Sequence, residues 1–295
     1  MQGEVNLNCK KNMIYGNMGV LVILCLTYQL YERDFFSVPE KWVEEIIKTC
    51  SVCFVIMFVL LGFWMNEKGQ SEKSLKNLWK ISGRYIAKIY LNYWVFYLLF
   101  SYLIFAGKTG NLYGENKCYL LLDFLGMSQL FGIITTHKCA GYLGLMALGL
   151  LLFPILRVGV QYVPFSVLMG AILGISVAKI YCPIQALGKA IYYTAGFALG
   201  MCISEIGIEK KVTYPADSLL WQGLIYIGKN AFSIAIVTGF LLESGYGNDL
   251  YPYKNFLAVV IIVLAEGLTL SLLIEGLKRK LLFVDSYEKW RMIGE

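Results

Sequence analysis

Long apolar segments separated by short polar loops fill most of this chain. Residues 52–65 and 140–156 carry no charged side chain, and residues 259–269 carry only Glu266. A helix of about 20 apolar residues spans the hydrocarbon core of a bilayer. The apolar runs are continuous rather than alternating, which favours helices over a transmembrane β-barrel. The pattern therefore predicts an all-α fold, a polytopic transmembrane helix bundle.

The apolar pattern predicts eight spans and one weaker run between the third and the fourth. The spans cover residues 13–31, 47–65, 86–106, 139–156, 160–180, 186–206, 218–242 and 255–277. The weaker run, residues 119–134, contains Asp123, Gly126, Gln129 and Gly132, which favours a re-entrant or interfacial element. We therefore expect about 8–10 membrane helices in a single domain, residues 1–295.

Basic residues cluster beside four of the predicted spans. Two lysines precede the first span, six basic residues follow the second, two lysines follow the sixth, and residues 278–280 follow the last. Cytoplasmic loops of membrane proteins carry an excess of Lys and Arg. The four clusters lie on one side only if residues 119–134 do not cross the membrane or cross it twice. Both termini are then expected in the cytoplasm.

The composition agrees with a membrane environment and excludes several classes of function. Apolar residues make up 58% of the 295 and charged residues 16%, against about 25% charge in soluble domains. The net charge of +6 follows from the loop bias, so we expect no nucleic acid partner. The eight cysteines form no paired CxxC sets, which excludes a zinc ribbon, and we expect no metal. No Walker loop, dinucleotide fingerprint or HExxH is present.

Polar residues inside the spans are the first candidates for function, because placing them in lipid is costly. They are Asn92, Asp123, Gln129, Lys179, Lys189, Lys229, Asn230 and Glu266. Glu266 lies centrally in the last span. It could hold a proton, bind a polar substrate, or form a structural ion pair with Lys229 or Lys189.

A second candidate is a polar stripe that enters the third span. Arg84, Lys88 and Asn92 are spaced by four residues and share one helical face. Arginine and lysine hold phosphate through charge-assisted hydrogen bonds, so the stripe would suit a phosphate-bearing donor. The alternative is that the basic side chains only extend to the membrane interface. The lone histidine, His137, is interpreted as a solvated loop residue.

Several segments resemble, in the same order, motifs of the acyltransferase-3 family of integral membrane acyltransferases. The matching segments are a Phe-rich run (58–63), a basic stretch entering a helix (79–94), a helix ending in proline (141–143 and 150–154), a Phe-x-x-Gly helix (192–200), a Gly-Lys segment (227–234) and a closing Ile-Glu (272–275). They cover nearly the whole length. The resemblance implies a multi-pass protein of a bacterial cytoplasmic membrane. Its donor would be cytosolic acyl-CoA, most simply acetyl-CoA, and its acceptor an envelope glycan, a sugar or another small polar molecule.

The family's histidines are missing from the matching positions. Its Arg and His of the first span fall here on Gly16 and Thr27, or on Asn17 and Tyr28. A positioned base contributes about 10²- to 10⁴-fold to such a transfer, and histidine suits that role near neutral pH.

Two interpretations follow from the missing histidines. In the first, Glu266 or Asp123 supplies the base and Arg84, Lys88 and Asn92 bind the donor. In the second, the chain is a catalytically inactive relative that binds a ligand, transports it or assists a partner in polysaccharide export or modification. Both leave open whether the protein forms a homo- or hetero-oligomer.

Overall fold

The computed structural model describes residues 2–32, 41–72, 74–107, 117–127, 140–181, 185–206, 218–243 and 256–281. Within these ranges the chain is helical and contains no strand, which confirms the predicted all-α class. The helices are α1 (Gln2–Glu32), α2 (Lys41–Thr49), α3 (Cys53–Gly69), α4 (Leu75–Gly107), α5 (Lys117–Phe124), α6 (Ala140–Tyr162), α7 (Pro164–Tyr181), α8 (Gln185–Ile206), α9 (Leu219–Lys229), α10 (Ala231–Glu243) and α11 (Phe256–Leu281). A 3-10 turn, Cys50–Val52, joins α2 to α3.

Three helical segments in the described part of the chain are long and apolar enough to cross a membrane. They are Asn12–Tyr31, Lys41–Gly69 and Tyr142–Tyr162, and Pro164–Val177 and Ala258–Leu273 are shorter apolar helices. Large apolar side chains also lie on the outside of the bundle, including Phe165, Leu173 and Leu219. Such a surface is stable when lipid surrounds the helices, because lipid solvates apolar side chains. These features are those of a membrane protein.

Pairs of residues in contact along neighbouring helices show in which direction each central helix runs. The α1 residues Tyr15 and Cys25 lie beside the α3 residues Trp64 and Met57, so α1 and α3 are antiparallel. The helices α3, α6 and α8 run parallel to one another. Their C-terminal parts meet through Asn66, Arg157 and Ser204. The bundle therefore has one end where α1 begins and where α3, α6 and α8 finish.

Glycines bring two pairs of helices into backbone contact. A Cβ atom built on Gly62 would lie 1.9 Å from the carbonyl oxygen of Phe197, and one on Gly200 would lie 1.8 Å from that of Val59. Between α1 and α9, a Cβ atom on Gly228 would lie 1.7 Å from the Tyr15 carbonyl oxygen. In lipid, helices associate through close packing of small residues rather than through water exclusion. The pairs α3–α8 and α1–α9 are thus the tightest units of the bundle.

The predicted span 218–242 is two helices instead of one. The chain leaves helical geometry at Asn230, whose φ is −100° and ψ is 6°. The Asn230 side chain donates from Nδ2 to the Tyr226 carbonyl oxygen at 2.9 Å. Asparagine side chains compete with the helical ladder in this way, which gives the break a local cause. Hydropathy alone did not reveal it, because the residues on both sides are apolar.

The weak apolar run begins with a helix that is too short to span. The eight residues of α5 extend about 12 Å, against about 30 Å for the hydrocarbon core. The helix ends at Phe124, and Gly126 follows two residues later with a φ of 65°. There the N–H groups of Gly126 and Met127 donate to the carbonyl oxygens of Asp123 and Leu122, each at 2.8 Å, a pattern that favours glycine at the turn. Residues 128–134 of the run lie outside the described residues.

Candidate functional site

The first half of α4 separates an apolar face from a cationic one. Leu78 and Ser82 are buried, and the Ser82 hydroxyl donates to the carbonyl oxygen of Leu150 on α6. Four cations spaced by four residues lie away from that contact: Lys76, Lys80 and Lys88 are exposed and Arg84 is half-buried. The helix carries no Asp or Glu over its whole length. Asn92, the last predicted donor residue, is half-buried and has a polar contact of its own.

Asp123 lies fully buried at the end of α5, where aromatic side chains of α4 form hydrogen bonds with the backbone. The Tyr93 hydroxyl donates to the Asp123 carbonyl oxygen at 2.7 Å. Tyr90 donates to the Leu125 carbonyl oxygen at 2.9 Å, and the Trp94 indole donates to that of Phe124 at 3.1 Å. The last carbonyl groups of a helix lack partners within it. Three α4 side chains supply these partners and hold Asp123 against α4.

Glu266 is half-buried on α11, and its Oε2 atom is shielded from solvent. One turn later, Leu270 packs against a buried cluster that includes Tyr90, Tyr93 and Tyr97 of α4. Because Tyr93 also holds α5, the same aromatic cluster connects the helices that carry the two predicted catalytic carboxylates. Lys88 is exposed, so it does not take part in this cluster.

The predicted ion pair of Glu266 with Lys229 or Lys189 is not found. Both lysines are exposed, and the ion pairs among the described residues include neither of them. Lys229 ends α9 at the break before α10, which places its side chain on the outside of the bundle. The Lys179 side chain, Gln129 and His137 lie outside the described residues.

A buried polar network at the shared end of α3, α6 and α8 was not predicted. Its centre is Arg157, which is only 5% exposed. The Arg157 Nη1 atom forms an ion pair with Glu205 Oε2 and donates to Asn66 Oδ1 at 2.8 Å. Charge-assisted hydrogen bonds of this kind are roughly twice as strong as neutral ones. One side chain of α6 thus connects α3 to α8.

Asn66 extends the network on its other side. Its Nδ2 donates to Ser204 Oγ and to Glu205 Oε2, each at 3.1 Å, and Ser204 Oγ donates to Glu67 Oε1 at 2.8 Å. Asn66 is fully buried, whereas the Glu205 side chain is 28% exposed. The network therefore runs from the interior towards the end of the bundle. Arg157 Nε is buried and donates to no acceptor among the residues that the structure describes.

One indirect signal for this network is present in the amino-acid sequence. The predicted span ended at residue 156, which left Arg157 in a loop, but α6 continues through Pro154 to Tyr162. An arginine one residue beyond a predicted span marks a position where the helix can continue at the membrane interface. No spacing in a single sequence relates Arg157 to Asn66 and Glu205, because the three contacts are long-range.

No metal-ligand set converges in the part of the chain that the structure describes, where no group of three or more His, Cys, Asp or Glu side chains could hold an ion. Comparisons with family models, with curated proteins and with solved structures found no match. The resemblance to the acyltransferase-3 family therefore remains a prediction from the residues quoted above.

Proposed function

We propose that this chain is a multi-pass protein of the cell membrane, with both termini in the cytoplasm. In this proposal it transfers an acyl group, most simply acetyl, from cytosolic acyl-CoA to an envelope glycan or sugar. The proposal assigns the donor to the end of the bundle where α3, α6 and α8 finish. The acceptor is placed towards the opposite face of the membrane.

The helix directions support a common side for the four basic clusters. The start of α1 lies near the end of α3, because Tyr15 contacts Trp64. The end of α8 lies beside the end of α3 through Asn66. Near its own start, α11 packs Val259 and Val263 against the last part of α1, so α11 finishes at the opposite end from there. Every helix end adjoining a basic cluster then lies at one end of the bundle, as cytoplasmic charge bias requires.

The observation that carries the donor assignment is the cationic face of α4. From Lys76 to Lys88 it extends about 18 Å along the helix at 1.5 Å per residue. Its side chains have no carboxylate on their own helix to neutralise them. A nucleotide donor that carries several phosphates is matched by a row of cations rather than by one. Arg84, Lys88 and Asn92 form the part of this row nearest the membrane interior.

The same structure favours one alternative, a catalytically inactive relative that binds its ligand without turnover. Asp123 is 0% exposed and is held among aromatic residues, whereas the cations of α4 are exposed or half-buried on another face. A base must come within hydrogen-bond reach of the acceptor hydroxyl. A burial of this degree would separate Asp123 from a glycan unless α5 moved.

Radiolabelled acetyl-CoA with the purified protein in nanodiscs tests the proposal, scored separately for binding, hydrolysis and transfer to a sugar acceptor. We expect saturable binding that Arg84→Ala and Lys88→Ala each weaken by at least about tenfold, or about 1.4 kcal/mol. Lys189→Ala, an exposed lysine on α8, is the matched control and should bind normally. Binding without hydrolysis or transfer would favour the inactive relative. Equal affinity in all four proteins would overturn the donor site.

A further inference from the structure

Only part of the Arg157 guanidinium forms hydrogen bonds with other described residues. Its Nη1 atom serves both Glu205 and Asn66. The Nε atom is buried with no acceptor, and within the described part of the chain Nη2 makes no hydrogen bond either. The Nε–Nη2 edge of an arginine is a planar fork whose two N–H groups fit two oxygens of one carboxylate or phosphate. That fork edge is open in Arg157.

An open fork is costly at this degree of burial. Removing a charged group from water costs several kcal/mol even after relaxation, and one partner offsets this only when the remaining donors are also satisfied. A network that served only to join helices would not need a guanidinium, since well-packed apolar residues stabilise a helix contact as well or better. The unused edge therefore indicates a further partner, which none of the residues that the structure describes supplies.

The part of the Arg157 network that a ligand could reach lies at the end of the bundle. Asn66 closes the network on the interior side, because it is fully buried. Glu205 is the penultimate residue of α8, and more than a quarter of its side chain is exposed. Glu205, the partly exposed partner of Arg157, therefore marks the side of the network that lies nearest to solvent. The first turns of α4, with exposed Lys76 and Lys80, begin at the same end and make the surrounding potential favourable for anions.

We infer that Arg157, positioned by Asn66 and Glu205, binds an oxyanion group, a carboxylate or phosphate, of a ligand that enters from this end of the bundle. The two oxygens of the ligand accept from Nε and Nη2. Glu205 keeps the guanidinium oriented and also repels the ligand, so it lowers the affinity of the site. The inference stands apart from acyl transfer, because Arg84 and Lys88 carry the donor proposal.

Thermal unfolding of the full-length protein tests this site, with ionic strength held constant by sodium chloride. One arm titrates inorganic phosphate into protein in phosphatidylcholine nanodiscs and a second titrates acetate. A third replaces part of the phosphatidylcholine by phosphatidylglycerol without free anion, which distinguishes a lipid phosphate from a soluble one. We expect a saturable rise in the unfolding temperature in at least one arm.

Three variants decide whether Arg157 is responsible. Arg157→Lys keeps the charge but loses the fork, so affinity should fall by at least about tenfold. Glu205→Gln removes the repelling charge, so affinity should rise about tenfold, which a purely structural pair would not produce. Lys189→Gln should behave as wild type. No saturable effect in any arm, or an unchanged affinity in Glu205→Gln, would overturn the inference, and the latter variant remains decisive if Arg157→Lys does not fold.

Discussion

Arg157 on α6 donates to Asn66 on α3 across 2.8 Å, in a site where the asparagine is completely buried. The contact joins residues 91 positions apart in the chain. It also gives the guanidinium, which has one carboxylate partner, a second acceptor. The stability of this end of the bundle should therefore depend on the side-chain amide of Asn66.

Asn66→Ala should lower the free energy of unfolding by about 2–3 kcal/mol, because a hydrogen bond to a buried charge is lost and the guanidinium keeps only Glu205. Asn77→Ala is the matched control. Asn77 is exposed and bonds to Glu72 at 2.8 Å, so its loss should change stability by less than about 0.5 kcal/mol. Denaturant unfolding in micelles measures both variants. Equal losses would mean that the buried network contributes nothing specific.

Gly200→Ala should separate α3 from α8, because the added methyl group would lie 1.8 Å from the Val59 carbonyl oxygen. Backbone atoms cannot give way as a side chain can, and overpacking of this kind costs about 1–3 kcal/mol or more. Gly170→Ala on α7 is the control, because a Cβ atom there meets nothing within 4 Å. Alanine should stabilise that helix by about 0.5–1 kcal/mol. In the same unfolding assay, we expect Gly200→Ala to lower the free energy of unfolding and Gly170→Ala to raise it.

Tyr93→Phe should cost about 1 kcal/mol, since it removes the hydrogen bond to the Asp123 carbonyl oxygen and leaves that carbonyl buried. The ring and its packing remain. Tyr162→Phe is the control, because Tyr162 is 75% exposed and should lose almost nothing. Hydrogen exchange at α5 offers a second measurement: faster exchange at Asp123 to Gly126 is expected only in the Tyr93 variant.

Glu266→Gln tests the proposed catalytic base. If Glu266 accepts the acceptor's proton, turnover of acetyl-CoA should fall by about 10²- to 10⁴-fold while donor affinity stays unchanged. Asp123→Asn separates the two candidates, because only the true base gives that loss. Glu45→Gln on α2 is the control and should keep full activity, since Glu45 is exposed and forms its ion pair with Lys48, three residues away. Normal turnover in both Glu266→Gln and Asp123→Asn would remove the carboxylate mechanism.

The helical class was predictable because continuous apolar runs leave helices as the structure that satisfies the backbone in lipid. Residues 52–65 and 140–156 lie within helices as expected. The end of α6 and the break at Asn230 were not predictable. Arg157 looks like a loop residue until its partners are known, and Asn230 is one polar residue in an apolar run. The end of α6 depends on contacts between Arg157 and residues far away in the chain. The break depends on the single side chain of Asn230.

The candidate sites were predicted unevenly for the same reason. Arg84 and Lys88 follow from spacing along one helix, which the sequence displays directly. The network of Asn66, Arg157 and Glu205 forms because three helices are aligned so that these residues lie at the same level along the bundle axis. A single sequence does not show how helices are aligned relative to one another. Glu266 forms no ion pair with Lys189 or Lys229, because both lysines lie on outward faces.

The glycine contact between Gly200 and Val59 also limits how the molecule can move. Backbones this close cannot slide past each other without a clash, so α3 and α8 behave as one rigid body. A displacement of α6 relative to that body would break both the ion pair with Glu205 and the hydrogen bond to Asn66, so the arginine of α6 opposes such a movement.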